Sequence, residues 1–240
     1  MKKITFLLIS ILLVAVISSC ASNEGKVAET GPSEALMRSV AKTTAASTDP
    51  DAIEAYNQGA ALLEEGNYAE AEFYLRQAIS YDDTFVDAYD YLGMVLRRLG
   101  ETDEAIEVLE KSIDMDPINP VPYNSLVIAY VDAGDYKSAI KTCEKAIKNI
   151  PENGDGYYQK GAVLMNQEKY KDAIPCFEEA YSIYRKNMDD QYFEAAYSLG
   201  LCYYFQEDWN KAIKYFEIAL KQFPDDETVK KYYYSAMMHD

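Results

Sequence analysis

The spacing of apolar and polar positions divides the chain into three stretches. Residues 4–17 (ITFLLISILLVAVI) are apolar apart from two small hydroxyl residues, and Lys2 and Lys3 precede them. From 21 to 50, apolar residues are scattered without a period among Ala, Ser, Thr and Gly. Beyond 51 they recur three and four positions apart, the spacing that gathers side chains on one face of a helix. Tyr89, Leu92, Leu96, Ala105 and Leu109 illustrate it. The pattern predicts amphipathic helices from about 52 to the C-terminus.

Those helices repeat. Gly59 and Gly93 lie 34 residues apart, and Val127 and Gly161 continue the step; Ala71, Ala105, Ala139 and Ala173 keep it without exception. Gly200 and Ala212 resume it 39 residues on, so five residues are inserted before the last unit. The units are 52–85, 86–119, 120–153, 154–192 and 193–226. A fixed period of this length is the mark of a stacked repeat architecture. Small residues at the eighth and twentieth places let paired helices approach closely. Gly66, Gly100 and Gly134 mark the turns between helices, and Asp49-Pro50 and Asn119-Pro120 are cap and first-turn pairs. Pro175 falls inside the second helix of its unit, where it is expected to kink or loosen it. Residues 181–192 lack the usual Pro, so that helix is expected to run longer.

These residues at this spacing resemble the tetratricopeptide repeat (TPR) family from about 52 onward. The resemblance implies an all-α fold: a right-handed superhelical solenoid of five helix-turn-helix units, with a capping helix over 227–239. That last helix would cover the apolar face the fifth unit otherwise exposes. Val127 departs from the family at the small eighth place, and Ala55 and Ala196 at the aromatic fourth. The resemblance further implies that the second, fifth, ninth, twelfth and thirteenth places of each unit face a concave groove. Aromatic, Arg and Asn side chains at those places are the expected anchors for an extended peptide or a partner helix: Tyr56, Met94, Arg97, Arg98, Asn124, Tyr158, Tyr197 and Tyr204. Packing between units is the competing role for several of the tyrosines. The Lys and Asn with which some family members hold chaperone C-termini are replaced by Tyr56 and Ala60, and by Asp90 and Met94.

The first stretch has a different purpose. A basic start, a short apolar run and small residues read as a secretory signal covering 1–19, not a membrane span. Residues 17–20 (ISSC) resemble a lipobox, which implies lipidation of Cys20. Two or three acyl chains, at about 0.8 kcal/mol per buried methylene, anchor a protein stably where one does not. An ordinary signal peptide with a chance cysteine is the alternative. Ala21 is not the inner-membrane-retaining Asp, which leans toward the outer membrane. Residues 20–50 have the composition of a flexible tether, with a short helix possible over 34–42, and a reach on the order of 30 Å.

Composition narrows the function. The formal charge is −17, and loss of 1–19, with Lys2 and Lys3, leaves −19. Such a surface repels phosphates, so nucleic acid is not an expected partner, nor is a bare anionic bilayer. The one histidine, His239, leaves little material for His-based acid–base or metal chemistry. Cys143, Cys176 and Cys202 show no metal spacing and are expected to be buried structural thiols, with a disulfide between two of them as the alternative. No phosphate loop, nucleophile elbow or zinc helix is present. No cofactor is expected beyond the lipid on Cys20. The expected function is a lipid-anchored adaptor of the bacterial cell envelope that binds an envelope protein or peptide and is not an enzyme. A small-ligand or glycan receptor is the alternative, and an enclosed pocket would favour it. A cluster of polar groups with perturbed pKa would favour catalysis.

Overall fold

The computed structural model describes residues 47–239; the expected signal sequence, Cys20 and most of the expected tether lie outside them. The described residues form α-helices without strands: α1 (Pro50–Glu64), α2 (Tyr68–Tyr81), α3 (Val86–Leu99), α4 (Thr102–Met115), α5 (Val121–Asp132) and α6 (Tyr136–Asn149). They continue with α7 (Asp155–Asn166), α8 (Tyr170–Lys186), α9 (Tyr192–Phe205), α10 (Trp209–Gln222) and α11 (Glu227–Met237). Among them, no helix is long and apolar enough to cross a membrane.

Local chemistry sets the boundaries. Asp49 caps α1, accepting from the N–H groups of Asp51 and Ala52, with Pro50 in the first turn. Asn119 accepts from the Val121 N–H at 3.0 Å, so α5 starts one residue later than the Asn-Pro pair suggests. Gly66, Gly100 and Gly134 hold φ of 78°, 84° and 75° between paired helices, as the turn requires. The last two units place Glu168 (φ 58°) and Glu207 (φ 60°) at the same turn, where a Cβ is disfavoured. α8 continues through Pro175, the place where a kink or loosening was expected. Pro175 is the sixth residue of that helix; only the N–H that would reach the Lys171 carbonyl is missing. α8 extends to Lys186, as the lack of a terminating Pro suggested, and turns at Met188 with φ 55°.

Each helix packs on its neighbours in sequence, and the odd-numbered helices also meet one another from α1 through α11. The odd helices therefore form the inner layer of a right-handed superhelical solenoid. The core is a chain of small clusters shared between adjoining helices and units, as expected when a repeat contacts only its neighbours.

Size complementarity holds each pair together. A Cβ on Gly93 would lie 2.4 Å from Leu109 Cγ, and one on Gly200 2.6 Å from Phe216, so α3/α4 and α9/α10 touch where no side chain fits. In the third unit Val127 takes the glycine's place, and Cys143 stands where the other units carry Leu or Phe; both are buried in one cluster. The aromatic fourth place has its own reason. Tyr89 donates its hydroxyl to the Asp83 carbonyl and Tyr123 donates to that of Pro117, tying each first helix to the preceding turn. α11 closes the stack with Val229 and Ala236 buried against the last pair.

Candidate binding groove

The residues expected to line the groove sit on the odd-numbered helices, and their environments differ along the stack. At the N-terminal end Tyr56 packs its ring against Phe85 (4.9 Å between centroids) and Tyr91 (5.1 Å). Burial, then the charge of Tyr91, pushes its hydroxyl pKa far above the usual phenol range. Tyr56 thus joins the first two units as much as it lines a surface. Met94 is half-buried on α3, and Arg98 is exposed.

Arg97 bridges α3 and α5. Its Nη1 donates to the Asp132 carboxylate at 3.4 Å, its side chain is 20% exposed, and its buried Nε–H meets no acceptor. Burial, and then Arg98, lower its pKa; Asp132 restores part.

The middle of the groove is polar. Asn124 Nδ2 donates to Asp155 at 3.5 Å, and Tyr184 donates to the other oxygen at 2.7 Å. Asp155 also stays close to its own helix start, where its N–H donates to Asn153. Burial raises the Asp155 carboxyl pKa, with those hydrogen bonds opposing. Glu194, one unit on, keeps an exposed face, yet the surrounding protein and then Asp189 and Asp155 raise its pKa.

Tyrosines fill the C-terminal half. Tyr158 packs against Phe177 (5.4 Å) and accepts from Ser198 Oγ at 3.5 Å. Tyr197 lies over Phe216 at 6.1 Å, and burial, followed by the nearby Tyr232, raises its pKa. Tyr204 is held by α11: its hydroxyl bonds Ser235 at 2.8 Å and its ring meets Tyr232 at 5.2 Å. The capping helix therefore occupies the edge that Tyr204 was expected to offer a partner. Tyr158 and Tyr197 remain as half-buried rings on adjoining inner helices.

Two features escaped the sequence. Asp90, at a place expected to face the groove, is 2% exposed and turned into the core. It accepts from Ser112 and, at 2.6 Å, from Asn119 Nδ2. Burial, against those hydrogen bonds, pushes its pKa up to about 7. The signal was Ser112, which stands where the other units have Ala78, Ala146, Ala180 and Ala219. The cysteines also divide: Cys143 and Cys202 are buried, with thiols pushed up to about 12 chiefly by burial, while Cys176 is only half-buried.

The perturbed carboxyls Asp90 and Asp155 are sequestered by hydrogen bonds from their own fold, not gathered in an open cleft. Among the described residues no group of His, Cys, Asp and Glu is placed to hold a metal ion. Two concavities stand out. One, of about 510 Å³, is an open face of α1 alone, around Ile53, Asn57 and Ala61. The other, beside Tyr123, Asn124 and Asp155, has about 10 Å³ of space, no more than a single water needs. Neither encloses a small ligand.

Comparison with solved structures places the same architecture elsewhere. MamA (residues 41 to its end) from Desulfovibrio magneticus RS-1 superposes with a TM-score of 0.59 at 18% identity, over 75% of this chain and 99% of that one. TTC0263, a thermophilic TPR protein of Thermus thermophilus, gives 0.60 at 20% identity, over 78% and 99%. YrrB, described as a TPR protein with an unusual peptide-binding site, gives 0.54 at 20%, over 82% and 96%. These likenesses concern the fold. No curated protein matches the sequence. Three family models described as tetratricopeptide repeat match residues 50–120, 96–161 and 152–225, an unbroken run over more than half of the chain. With five helical pairs stacked at that period, the chain belongs to the tetratricopeptide repeat family.

Proposed function

We propose that this protein is a binding scaffold of the bacterial cell envelope, anchored by lipid on Cys20, that holds an extended peptide or partner helix along the odd-numbered helices. The carrying observation is the inner-layer run of Asn124, Tyr158 and Tyr197: half-buried polar and aromatic groups on α5, α7 and α9. Rings of this kind offer large contact area at low conformational cost, and Asn can pair with a peptide backbone. The role is recognition rather than catalysis. Membrane attachment rests on the segment 1–20, with the outer membrane favoured by Ala21 in an organism that has one. Tethering concentrates partners at the membrane, so a modest groove affinity suffices.

Two experiments test the two halves. Affinity capture from an envelope extract should yield a partner that is lost with Tyr158→Ala plus Arg97→Ala, in a variant whose helicity and melting are first checked. Retention of every partner removes the groove from the proposal. Metabolic palmitate labelling should mark the wild type and not Cys20→Ala, which should also stay unprocessed. Processing of the wild type without incorporated label ends the anchoring claim.

A further inference from the structure

Among the described residues, α1 is the one odd-numbered helix with no helix before it. α3, α5, α7, α9 and α11 each lie against the helix that precedes them, after a short connection such as 82–85. The side of α1 that such a helix would cover is open and forms the concavity around Ile53, Asn57 and Ala61. Glu54 and Gln58 line it too, where α3 carries the buried Ala88 and Leu92, so this face is amphipathic. α2 extends the open end. Arg76 reaches Glu104 of α4 at 2.8 Å on one side, and Tyr74 and Tyr81 stand roughly opposite it around the helix. Tyr81 is 47% exposed, and Phe73, against the ring of Tyr74 at 5.3 Å, is 64% exposed.

The chain reaches this end already fixed. Ser47 is buried, donates its hydroxyl to Asp82 just past α2, and accepts from the Asp49 N–H at 3.1 Å. Upstream, residues 34–42 (EALMRSVAK) lie outside the described residues, and only 43–46 separate them from Ser47. Leu36, Met37 and Val40 are three and four positions apart, one stripe of a helix. Arg38 and Lys42 outnumber Glu34 there, in a chain of formal charge −17, and so complement a face that carries Glu54.

We propose that residues 34–42 form a short helix docked on the open side of α1 and α2, in the place that a preceding second helix would take. Its apolar stripe covers Ile53, Ala61 and Tyr81, and its bases lie toward Glu54. The short connection 43–49 suits antiparallel neighbours, and the ends of a repeat stack need covering. A helix of this length does not persist in water by itself, so its order reports the docking. The proposal is independent of what the groove binds. With the lipid on Cys20 proposed above, residues 20–33 alone would remain as tether, with a reach on the order of 20 Å.

Hydrogen exchange followed by mass spectrometry, on the full-length chain in mild detergent, tests this. Amides of 34–42 should exchange at least tenfold more slowly than in a synthetic peptide of 30–46. Ala61→Arg, at an exposed position of α1, should return them to the peptide rate while α3 to α11 stay protected. Leu36→Ser with Val40→Ser should do the same. Exchange at the peptide rate in the wild type overturns the proposal. Protection that survives Ala61→Arg also overturns it, since contact with the micelle would behave that way. Protection of the α1 face that vanishes on dilution, alongside dissociation in sedimentation, gives the face to a second copy instead.

Discussion

Val127 of α5 and Cys143 of α6 share one buried cluster, with Val127 where the other units have Gly and Cys143 where they have Leu or Phe. The larger residue on one helix is matched by the smaller on its partner, so the helix pair keeps its close contact. Cys143→Leu alone should overpack the site and destabilise by about 1–3 kcal/mol. Val127→Gly alone should leave a cavity and add the helix cost of Gly. The double variant recreates the first two units and should be less destabilised than the sum of the singles by about 1 kcal/mol or more. Chemical denaturation of all four proteins measures this, and strict additivity would refute the complementarity.

Glu168 and Glu207 hold positive φ at the turn where three other units use Gly. A left-handed conformation costs a residue with Cβ roughly 1 kcal/mol, part of which Gly returns through its freer unfolded chain. Glu168→Gly and Glu207→Gly should each stabilise the fold by about 0.5 kcal/mol, read as a higher melting temperature. A lower one would mean that the glutamate side chains contribute more than the strain removes.

Asp90 makes stability depend on pH. Its folded pKa of about 7 lies above the ordinary carboxyl value, so its favourable contribution is complete at low pH and disappears as pH rises through 7. Between pH 5.5 and 8.5 the wild type should lose about 2 kcal/mol relative to Asp90→Asn, an order-of-magnitude figure from the linkage relation. Urea titrations of both proteins at the two pH values give the comparison. Parallel changes in the pair would show that Asp90 does not titrate in this window.

Ending the chain after Asp226 removes α11, and with it Val229, Ala236 and the ring of Tyr232 from the last cluster. Burial of those groups is worth about 3 kcal/mol or more. The truncated protein should melt earlier and self-associate through the uncovered face of α9 and α10, visible by size-exclusion chromatography. Unchanged melting with a monomeric profile would deny α11 its closing role.

Periodicity in the sequence was enough for the helices, their pairing, the turn positions and the capping helix, because each depends on residues within one or two turns or on one repeated contact. Gly93 against Leu109 is a contact of that repeated kind. The proposed address in residues 1–20 rests on the sequence alone. The open part of the groove is a different matter. Asp90 points inward because Ser112 and Asn119, 22 and 29 residues away, meet it there. Tyr204 is occupied because α11 folds over it, and Arg97 is held by Asp132, which reaches it from the next unit at 3.4 Å. Place in a repeat determines which layer a side chain joins. Whether it meets solvent, core or a neighbouring unit is decided by residues distant in the chain, and only the assembled stack brings those together.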